Sequence, residues 1–197
     1  MRAAGYVFRS VICAFLLMLG IGGAALAEGG SDELGPPIGA KLTEIGTPPD
    51  QTGMPRSLSS LMGNKGLVLF FFRSADWCPY CQAQMMDLNT AVADMEKRGY
   101  RMAGISYDSP QILSTFIERR GIKYTLLSDP KSEIIDRYKL RDPQYKAGSR
   151  AYGVPRPVIF ILDKTGTVKS KLYEETYQKR PPATLVLATL DKVASGK

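Results

Sequence analysis

The feature that most constrains the fold is an apolar run that leads into a pair of cysteines. Residues 66–72 read Gly-Leu-Val-Leu-Phe-Phe-Phe, a continuous apolar stretch of strand length. Such a run is typical of a strand buried on both faces of a sheet. Soon after it, Cys78-Pro79-Tyr80-Cys81 opens a segment in which apolar residues recur at helical spacing. The sequence therefore predicts a buried strand, a short turn, and a helix whose first turn carries two thiols.

Predicted helices and strands alternate along the rest of the chain. The order after the first strand is a helix over 79–98, a strand over 100–106, a helix over 110–120, a strand over 124–127, a helix over 130–138, a loop over 141–153, a hairpin of strands 158–162 and 167–173, and a final helix reaching 193. This order predicts an α/β fold in which a central mixed sheet is flanked by helices on both faces.

The first 27 residues have the pattern of a secretory signal peptide. Arg2 and Arg9 precede an apolar run, which closes with Ala25-Leu26-Ala27. We expect cleavage after Ala27 and a periplasmic or secreted protein with no stable membrane span. The alternative is an uncleaved membrane anchor formed by residues 11–27.

Composition shifts again after the signal peptide. Residues 28–55 are rich in glycine and proline, which favours an extended N-terminal arm over regular elements. Residues 56–197 are long enough for one compact domain. Cys13 lies in the apolar run of the signal peptide and is expected to be removed with it.

Charge and residue content exclude several classes of function. The net charge is +7 and falls to +5 without residues 1–27, and no basic block interrupts the chain, so we expect no nucleic acid partner. The chain has no histidine, which removes Ser-His-Asp and Cys-His nucleophiles and HExxH metal sites. We expect no cofactor and no metal.

The two remaining cysteines are placed for redox chemistry. The unpaired amides and the dipole at a helix start stabilise a thiolate at Cys78. Cys81, three residues later, is within reach to resolve a bond that Cys78 forms with a partner. Pro79 suits the first helical position, and Trp77 is expected to shield the pair. Three other interpretations are a purely structural disulfide, half of a zinc site, and two unrelated core cysteines.

The Trp-Cys-Pro-Tyr-Cys motif of residues 77–81 indicates a family resemblance. Residues 66–81 resemble the strand-to-helix active site of the thioredoxin superfamily, with Tyr80 inside the motif. Residues 36–193 are similar to its AhpC/TSA or redoxin branch, which includes peroxiredoxin-like proteins and exported thiol-disulfide oxidoreductases. The resemblance implies a thioredoxin-like domain over 56–197.

The resemblance also implies a second site element. Counting back six residues from Asp163 selects Pro157, whose counterpart in the family is a cis-proline packed against the dithiol. A cis bond between Arg156 and Pro157 leaves the Arg156 backbone available to dock a partner's extended chain. The alternative is an ordinary proline at the start of a strand.

The chain departs from the peroxiredoxin pattern of P-x-x-x-[TS]-x-x-C with a peroxide-binding arginine. Phe71 and Ala75 occupy the proline and hydroxyl positions. The arginine position falls at Pro157, with Arg156 beside it, while Arg73 lies at the end of the first strand. These departures weigh against peroxidase activity at this stage.

The sequence therefore predicts an exported thiol-disulfide oxidoreductase in which the Cys78 thiolate attacks a disulfide and Cys81 resolves it. Thioredoxins place a buried acid six residues before the first cysteine, and here that residue is Phe72. Asp76 is the alternative acid, but we expect it to be an exposed loop carboxylate instead. The expected partners are protein thiols or disulfides and a redox partner protein. The first alternative is a peroxiredoxin-like thiol peroxidase acting on hydrogen peroxide or an organic hydroperoxide. The second is a non-catalytic binding module with a structural disulfide.

Overall fold

A computed structural model of the protein describes Met1, residues 34–42 and residues 45–196. The chain divides into two units, residues 1–31 and residues 32–197. The predicted signal peptide, its cleavage site and the alternative anchor lie, apart from Met1, outside the described residues, so they stay predictions. In the part of the chain that the structure describes, no helix combines the length and apolar character needed to cross a membrane.

Five strands form one mixed sheet with the order β3-β2-β1-β4-β5. The strands are β1 (Gly66–Phe71), β2 (Tyr100–Ser106), β3 (Thr125–Ser128), β4 (Val158–Asp163) and β5 (Val168–Leu172). β2 runs parallel to β1 and β3, whereas β4 is antiparallel to β1 and β5. The apolar run predicted as a buried strand is the central strand, and all six residues of β1 are buried.

Six helices accompany these strands in the described residues. They are α1 (Leu58–Leu61), α2 (Pro79–Thr90), α3 (Val92–Lys97), α4 (Pro110–Arg120), α5 (Glu133–Arg137) and α6 (Ala183–Ala194). Four of them, α2 to α5, lie between strands in the chain. The single helix predicted over 79–98 is two helices, because Ala91 has φ −101° and ψ 0° and ends the first. Ser109 caps α4 by accepting a hydrogen bond from the Ile112 amide, with Pro110 in the first turn, as the sequence predicts.

Alternate residues of β1 pack into two separate hydrophobic cores, one on each face of the sheet. Val68 and Phe70 face a core built with α2, α3, α4 and α6, whereas Leu67 and Leu69 face a core built with α1, α5 and the N-terminal arm. Because side chains alternate along a strand, each face of the sheet needs its own apolar cover. The predicted α/β class, with helices on both faces, is confirmed.

The described parts of the N-terminal arm pack against this domain. Leu34, Leu42 and Ile45 are buried in the second core. Lys41 and Asp50 form isolated bridges with Thr167 and Leu127. Extended backbone that pairs at separate points along the domain is consistent with a segment rich in glycine and proline.

Candidate active site

The two cysteines lie at the start of the helix that follows the central strand. β1 ends at Phe71, and Cys78 is the N-cap of α2, with Pro79 in the first turn. Cys78 and Cys81 form a disulfide, with their Cα atoms 5.3 Å apart. The Cys81 amide donates to Cys78 Sγ over 3.3 Å. One of the first-turn amides that are predicted to stabilise a thiolate, that of Cys81, therefore contacts the Cys78 sulfur.

Both cysteines are buried in this disulfide form. Cys78 is 2% exposed and Cys81 is fully buried, within the core of α2, α3, α4 and α6. A dithiol that exchanges with an outside substrate needs access to solvent. Access to Cys78 therefore requires that neighbouring side chains move or that the first turn of α2 opens.

A buried carboxylate fixes the loop between β1 and the cysteines. Asp108, 4% exposed, accepts hydrogen bonds from the Ser74 hydroxyl, the Ala75 amide and the Ser106 hydroxyl at 2.7–2.9 Å. Burial raises the pKa of Asp108, while the three hydrogen bonds oppose that rise. Gln82 from α2 donates to the Ala75 carbonyl over 2.8 Å. We call Ser74, Ala75, Ser106 and Asp108 the Asp108 network.

Trp77 and Tyr80 flank the dithiol and differ in exposure. Trp77 is half-buried and its indole donates to the Tyr107 hydroxyl over 2.8 Å. Tyr80 is 44% exposed, and its ring meets Tyr177 edge-to-face with centroids 5.9 Å apart. Asp76 is exposed and pairs with Arg150 over 2.6 Å.

The structure brings two arginines to the site. Arg180 Nη2 lies 3.6 Å from Cys81 Sγ. Arg73 is 3% exposed, and its guanidinium lies 3.9 Å from the centroid of the Tyr177 ring. The Trp77 ring, at 5.2 Å, and the Tyr145 ring, at 5.0 Å, also flank the Arg73 guanidinium, which donates to the Tyr145 hydroxyl. We call the two arginines and the three aromatic residues the arginine–aromatic cluster: Arg73, Arg180, Trp77, Tyr145 and Tyr177.

The charge of Arg180 is sensitive to this environment. Burial, and then the like charge of Arg73, lower the pKa of Arg180 to about 10, against an opposing effect of Tyr177. The two guanidiniums are therefore close enough to repel each other. Sequence reasoning found Arg73 but missed Arg180, Tyr145 and Tyr177, because more than 60 residues separate these from the cysteines and no local motif marks them.

The prediction for Pro157 is wrong in its geometry. No cis peptide bond occurs among the described residues, so the bond between Arg156 and Pro157 is trans. The Arg156 amide donates to the Leu140 carbonyl over 2.7 Å, next to a bridge between Arg141 and Pro155. The backbone that was expected to dock a partner is therefore engaged within the chain itself.

Arg156 and Pro157 instead line a cleft of about 470 Å³. Tyr177 is shared between this cleft and the arginine–aromatic cluster, whereas neither cysteine lines it. Tyr177 is therefore the residue through which the cleft adjoins that cluster.

The two positions that depart from the peroxiredoxin pattern are structural here. Phe71 is 1% exposed and belongs to the core of α1 and α5. The Ala75 amide donates to Asp108 and its carbonyl accepts from Gln82. The hydroxyl of the preceding residue, Ser74, donates to Asp108. Among the described residues, no group of three or more His, Cys, Asp or Glu side chains is arranged to hold a metal ion.

Comparisons with known proteins give the family. The model of the AhpC/TSA family matches residues 38–171. The chain is 29% identical over 121 residues to peroxiredoxin Bcp of Escherichia coli strain K12, covering 61% of this chain and 76% of that protein. It is 31% identical over 106 residues to peroxiredoxin bcp1 of Schizosaccharomyces pombe, covering 54% and 53%.

Solved structures share the fold. Peroxidoxin BcpB from Mycobacterium tuberculosis superimposes with a TM-score of 0.67 at 22% identity, covering 83% of this chain and 99% of that chain. Peroxiredoxin Q of Xanthomonas campestris gives a TM-score of 0.65 at 22% identity, covering 79% and 94%. The resemblance to the thioredoxin superfamily is thereby confirmed, and the chain belongs to its AhpC/TSA family.

Proposed function

We propose that this protein is an exported thiol-dependent peroxidase that cycles between the Cys78–Cys81 dithiol and the disulfide. The single observation that carries the proposal over disulfide exchange is Arg180 Nη2 at 3.6 Å from Cys81 Sγ, which places a positive charge beside the dithiol at the first turn of α2. Membership of the AhpC/TSA family and relatives named peroxiredoxins support it. This ranking reverses the one drawn from the sequence, where the missing proline and hydroxyl weighed more.

The reaction needs only the two sulfurs and a reductant. The Cys78 thiolate attacks the terminal peroxide oxygen, the O–O bond breaks, and water or an alcohol leaves after taking up a proton. Cys78 is then a sulfenic acid. The Cys81 thiol attacks its sulfur, water leaves, and the disulfide forms. An external dithiol reduces this disulfide by exchange and is itself oxidised.

The other site residues support these steps. Pro79 opens the helix that stabilises the thiolate, and the Asp108 network fixes the approach of the chain to Cys78. Arg180 supplies a positive charge beside Cys81. Trp77 and Tyr80 border the pair.

A second candidate function is thiol-disulfide exchange. Two observations favour it: the two-residue spacing within the first turn of a helix, and the absence of a free hydroxyl at the Ala75 position. In that reaction the Cys78 thiolate attacks a substrate disulfide, and Cys81 then displaces the substrate from the mixed disulfide.

The discriminating experiment compares peroxide consumption with reduction of insulin disulfides by the full-length chain, both driven by dithiothreitol. All variants carry Cys13→Ser, so that only two thiols react. We expect peroxide turnover that Cys78→Ser abolishes. Reduced Cys81→Ser, freed of dithiothreitol before peroxide is added, should consume one equivalent and leave a sulfenic acid that dimedone labels. Insulin reduction without peroxide turnover supports the second candidate instead. A chain that does neither is a binding module with a structural disulfide.

Export is a separate part of the proposal. The charged start, apolar run and Ala25-Leu26-Ala27 support it. Fractionation of a Gram-negative host that expresses the full-length chain tests it. We expect periplasmic protein that begins at Glu28, whereas an intact N-terminus in the membrane fraction supports the anchor formed by residues 11–27.

A further inference from the structure

The arginine–aromatic cluster carries more positive charge than its surroundings balance. Among the described residues, neither Arg73 nor Arg180 forms a salt bridge with a carboxylate. The Nε atoms of both are buried and have no hydrogen-bond acceptor. Buried charges and buried N–H groups without partners are costly, and each such group calls for an explanation.

Contacts within the protein offset this cost only in part. The rings around Arg73 provide cation–π contacts, but they accept nothing from its Nε. Arg180 donates to the Lys179 carbonyl and to Cys81 Sγ, which leaves its Nε without a partner. Since guanidinium groups bind carboxylates through parallel N–H donors, the atoms left over are those that an anion would engage.

The redox cycle leaves this excess in place. The disulfide carries no charge, so in the oxidised protein both guanidiniums lack a counter-ion among the described residues. Reduction adds at most one thiolate, that of Cys78, next to the Cys81 sulfur that Arg180 contacts, which leaves one positive charge unmatched. The site therefore has room for one further negative charge in either state.

The neighbouring cleft offers space for the rest of such a ligand. Tyr177 contacts Arg73 and also lines the cleft of about 470 Å³, together with Pro143 and Pro157. Three carboxylates, those of Asp142, Glu174 and Glu175, line the same cleft. They outnumber the one arginine of that lining, Arg156, whose Nε is also buried without an acceptor, so the cleft disfavours an anion and fits a neutral organic body. Arg73 and Arg180 are not part of the lining, and an anionic end would reach them past Tyr177.

We propose that Arg73 and Arg180 form a subsite for a carboxylate group of the substrate, so that the preferred peroxide is a carboxylate-bearing organic hydroperoxide. This inference rests on the proposed peroxidase function. Its binding half is testable without turnover, so that the two can fail separately.

The binding test uses the oxidised full-length chain and the fluorescence of Trp77, the single tryptophan. Benzoate is titrated against benzamide, which has the same shape without the charge. We expect a saturable change with benzoate, weaker binding by benzamide, and weaker benzoate binding after reduction, because the thiolate competes for Arg180. Equal binding of benzoate and benzamide, or none by either, overturns the subsite.

Matched variants assign the effect to the cluster. Arg180→Gln removes the charge and is expected to weaken benzoate binding about tenfold or more, the effect of a lost charge-assisted hydrogen bond. Arg180→Lys keeps the charge and is expected to retain part of the affinity. Arg150→Gln is the control, because Arg150 also lies near Trp77, at 5.8 Å, but is exposed and paired with Asp76. An equal loss in the Arg150 and Arg180 variants contradicts the proposal.

The kinetic test compares cumene hydroperoxide with its para-carboxylate. We expect the carboxylate to have the higher kcat/KM, mainly through KM, and expect Arg180→Gln to erase that preference. If the enzyme consumes both peroxides equally well, the subsite is wrong and the peroxidase function stands. If it consumes neither, the proposed function fails, and the benzoate titration alone decides the subsite. A loss in Arg180→Gln that is equal for both peroxides means that Arg180 acts on the thiolate, which also overturns the subsite.

Discussion

The Asp108 network and the arginine–aromatic cluster both adjoin the dithiol, but they are built from different interactions. In the network, a buried carboxylate accepts three short and directional hydrogen bonds. In the cluster, Arg73 is held mainly by ring faces, Arg180 by hydrogen bonds to the Lys179 carbonyl and Cys81 Sγ, and the Nε groups of both lack acceptors. Directional bonds fix a position, whereas charge–ring contacts tolerate displacement. The network thus fixes the loop before Cys78, whereas the cluster has more freedom to rearrange, as the proposed carboxylate subsite requires.

The largest expected effect is a loss of stability when the Asp108 network is broken. Asp108→Ala leaves the Ser74, Ala75 and Ser106 donors buried without an acceptor, which should lower the free energy of unfolding by about 3 kcal/mol or more. Urea denaturation monitored by circular dichroism measures it. Asp94→Ala is the control, because Asp94 forms only an exposed pair with Lys97. Similar losses in the two variants would show that the network contributes nothing special.

A change in the arginine–aromatic cluster is expected to have a smaller effect. It should alter how easily a reagent reaches the Cys78 sulfur and leave the free energy of unfolding largely unchanged. Tyr177→Ala removes the ring closest to Arg73, whose cation–π contact is worth about 0.5–2 kcal/mol. If opening of the cluster exposes the sulfurs, alkylation of reduced Cys78 by iodoacetamide should accelerate by about 2- to 30-fold, the same energy expressed as a ratio. Tyr177→Phe keeps the ring and should react like the unmodified protein. An unchanged rate in the alanine variant would mean that the sulfurs are reached by another route.

The titration of Asp108 provides a third and more gradual test. Burial raises the pKa of Asp108 in the folded protein above its usual value near 3.8. Between these two pKa values the folded state holds more protons than the unfolded state, so this group's contribution to stability falls as pH rises. We expect the stability of the unmodified protein relative to Asp108→Asn to be greatest below pH 3.8. It should then decline through the raised pKa and level off.

The same urea denaturation, repeated from pH 3 to pH 7, measures this difference. Other carboxylates, such as Asp50 and Asp163, have lowered pKa values and titrate in both proteins alike, so they cancel in the comparison. A relative stability that grows with pH would show that hydrogen bonding outweighs burial at Asp108.

The fold was largely readable from local patterns. The apolar run of β1, the Ser109-Pro110 helix start and the two-strand hairpin each depend on neighbouring residues, and each occurs where it was predicted. The predicted helix over 79–98 was wrong at Ala91, because helical periodicity continues across a break in the backbone. Apolar spacing reports which face is buried, not whether every residue between is helical.

The site was readable only in part. Cys78 and Cys81 can be identified from their spacing in the sequence. Arg180 and Asp108 come close to the cysteines only in the folded protein, and no local sequence motif marks either residue. The trans bond at Pro157 shows the limit of counting positions. Whether the Arg156 amide docks a partner or bonds to Leu140 depends on where residues 138–142 pass, and the family pattern does not encode that.

The smallest effect is expected at Asp76, the exposed acid next to Trp77. Its pair with Arg150 is exposed on both sides, so Asp76→Asn should change the free energy of unfolding by less than about 1 kcal/mol. Because salt screens exposed charges, the change should shrink further at about 1 M salt. The pH dependence of peroxide turnover should stay the same, since a carboxylate already paired at the surface is poorly placed to exchange protons with Cys81. A shifted pH profile in Asp76→Asn would instead make Asp76 the acid that exchanges protons with the dithiol.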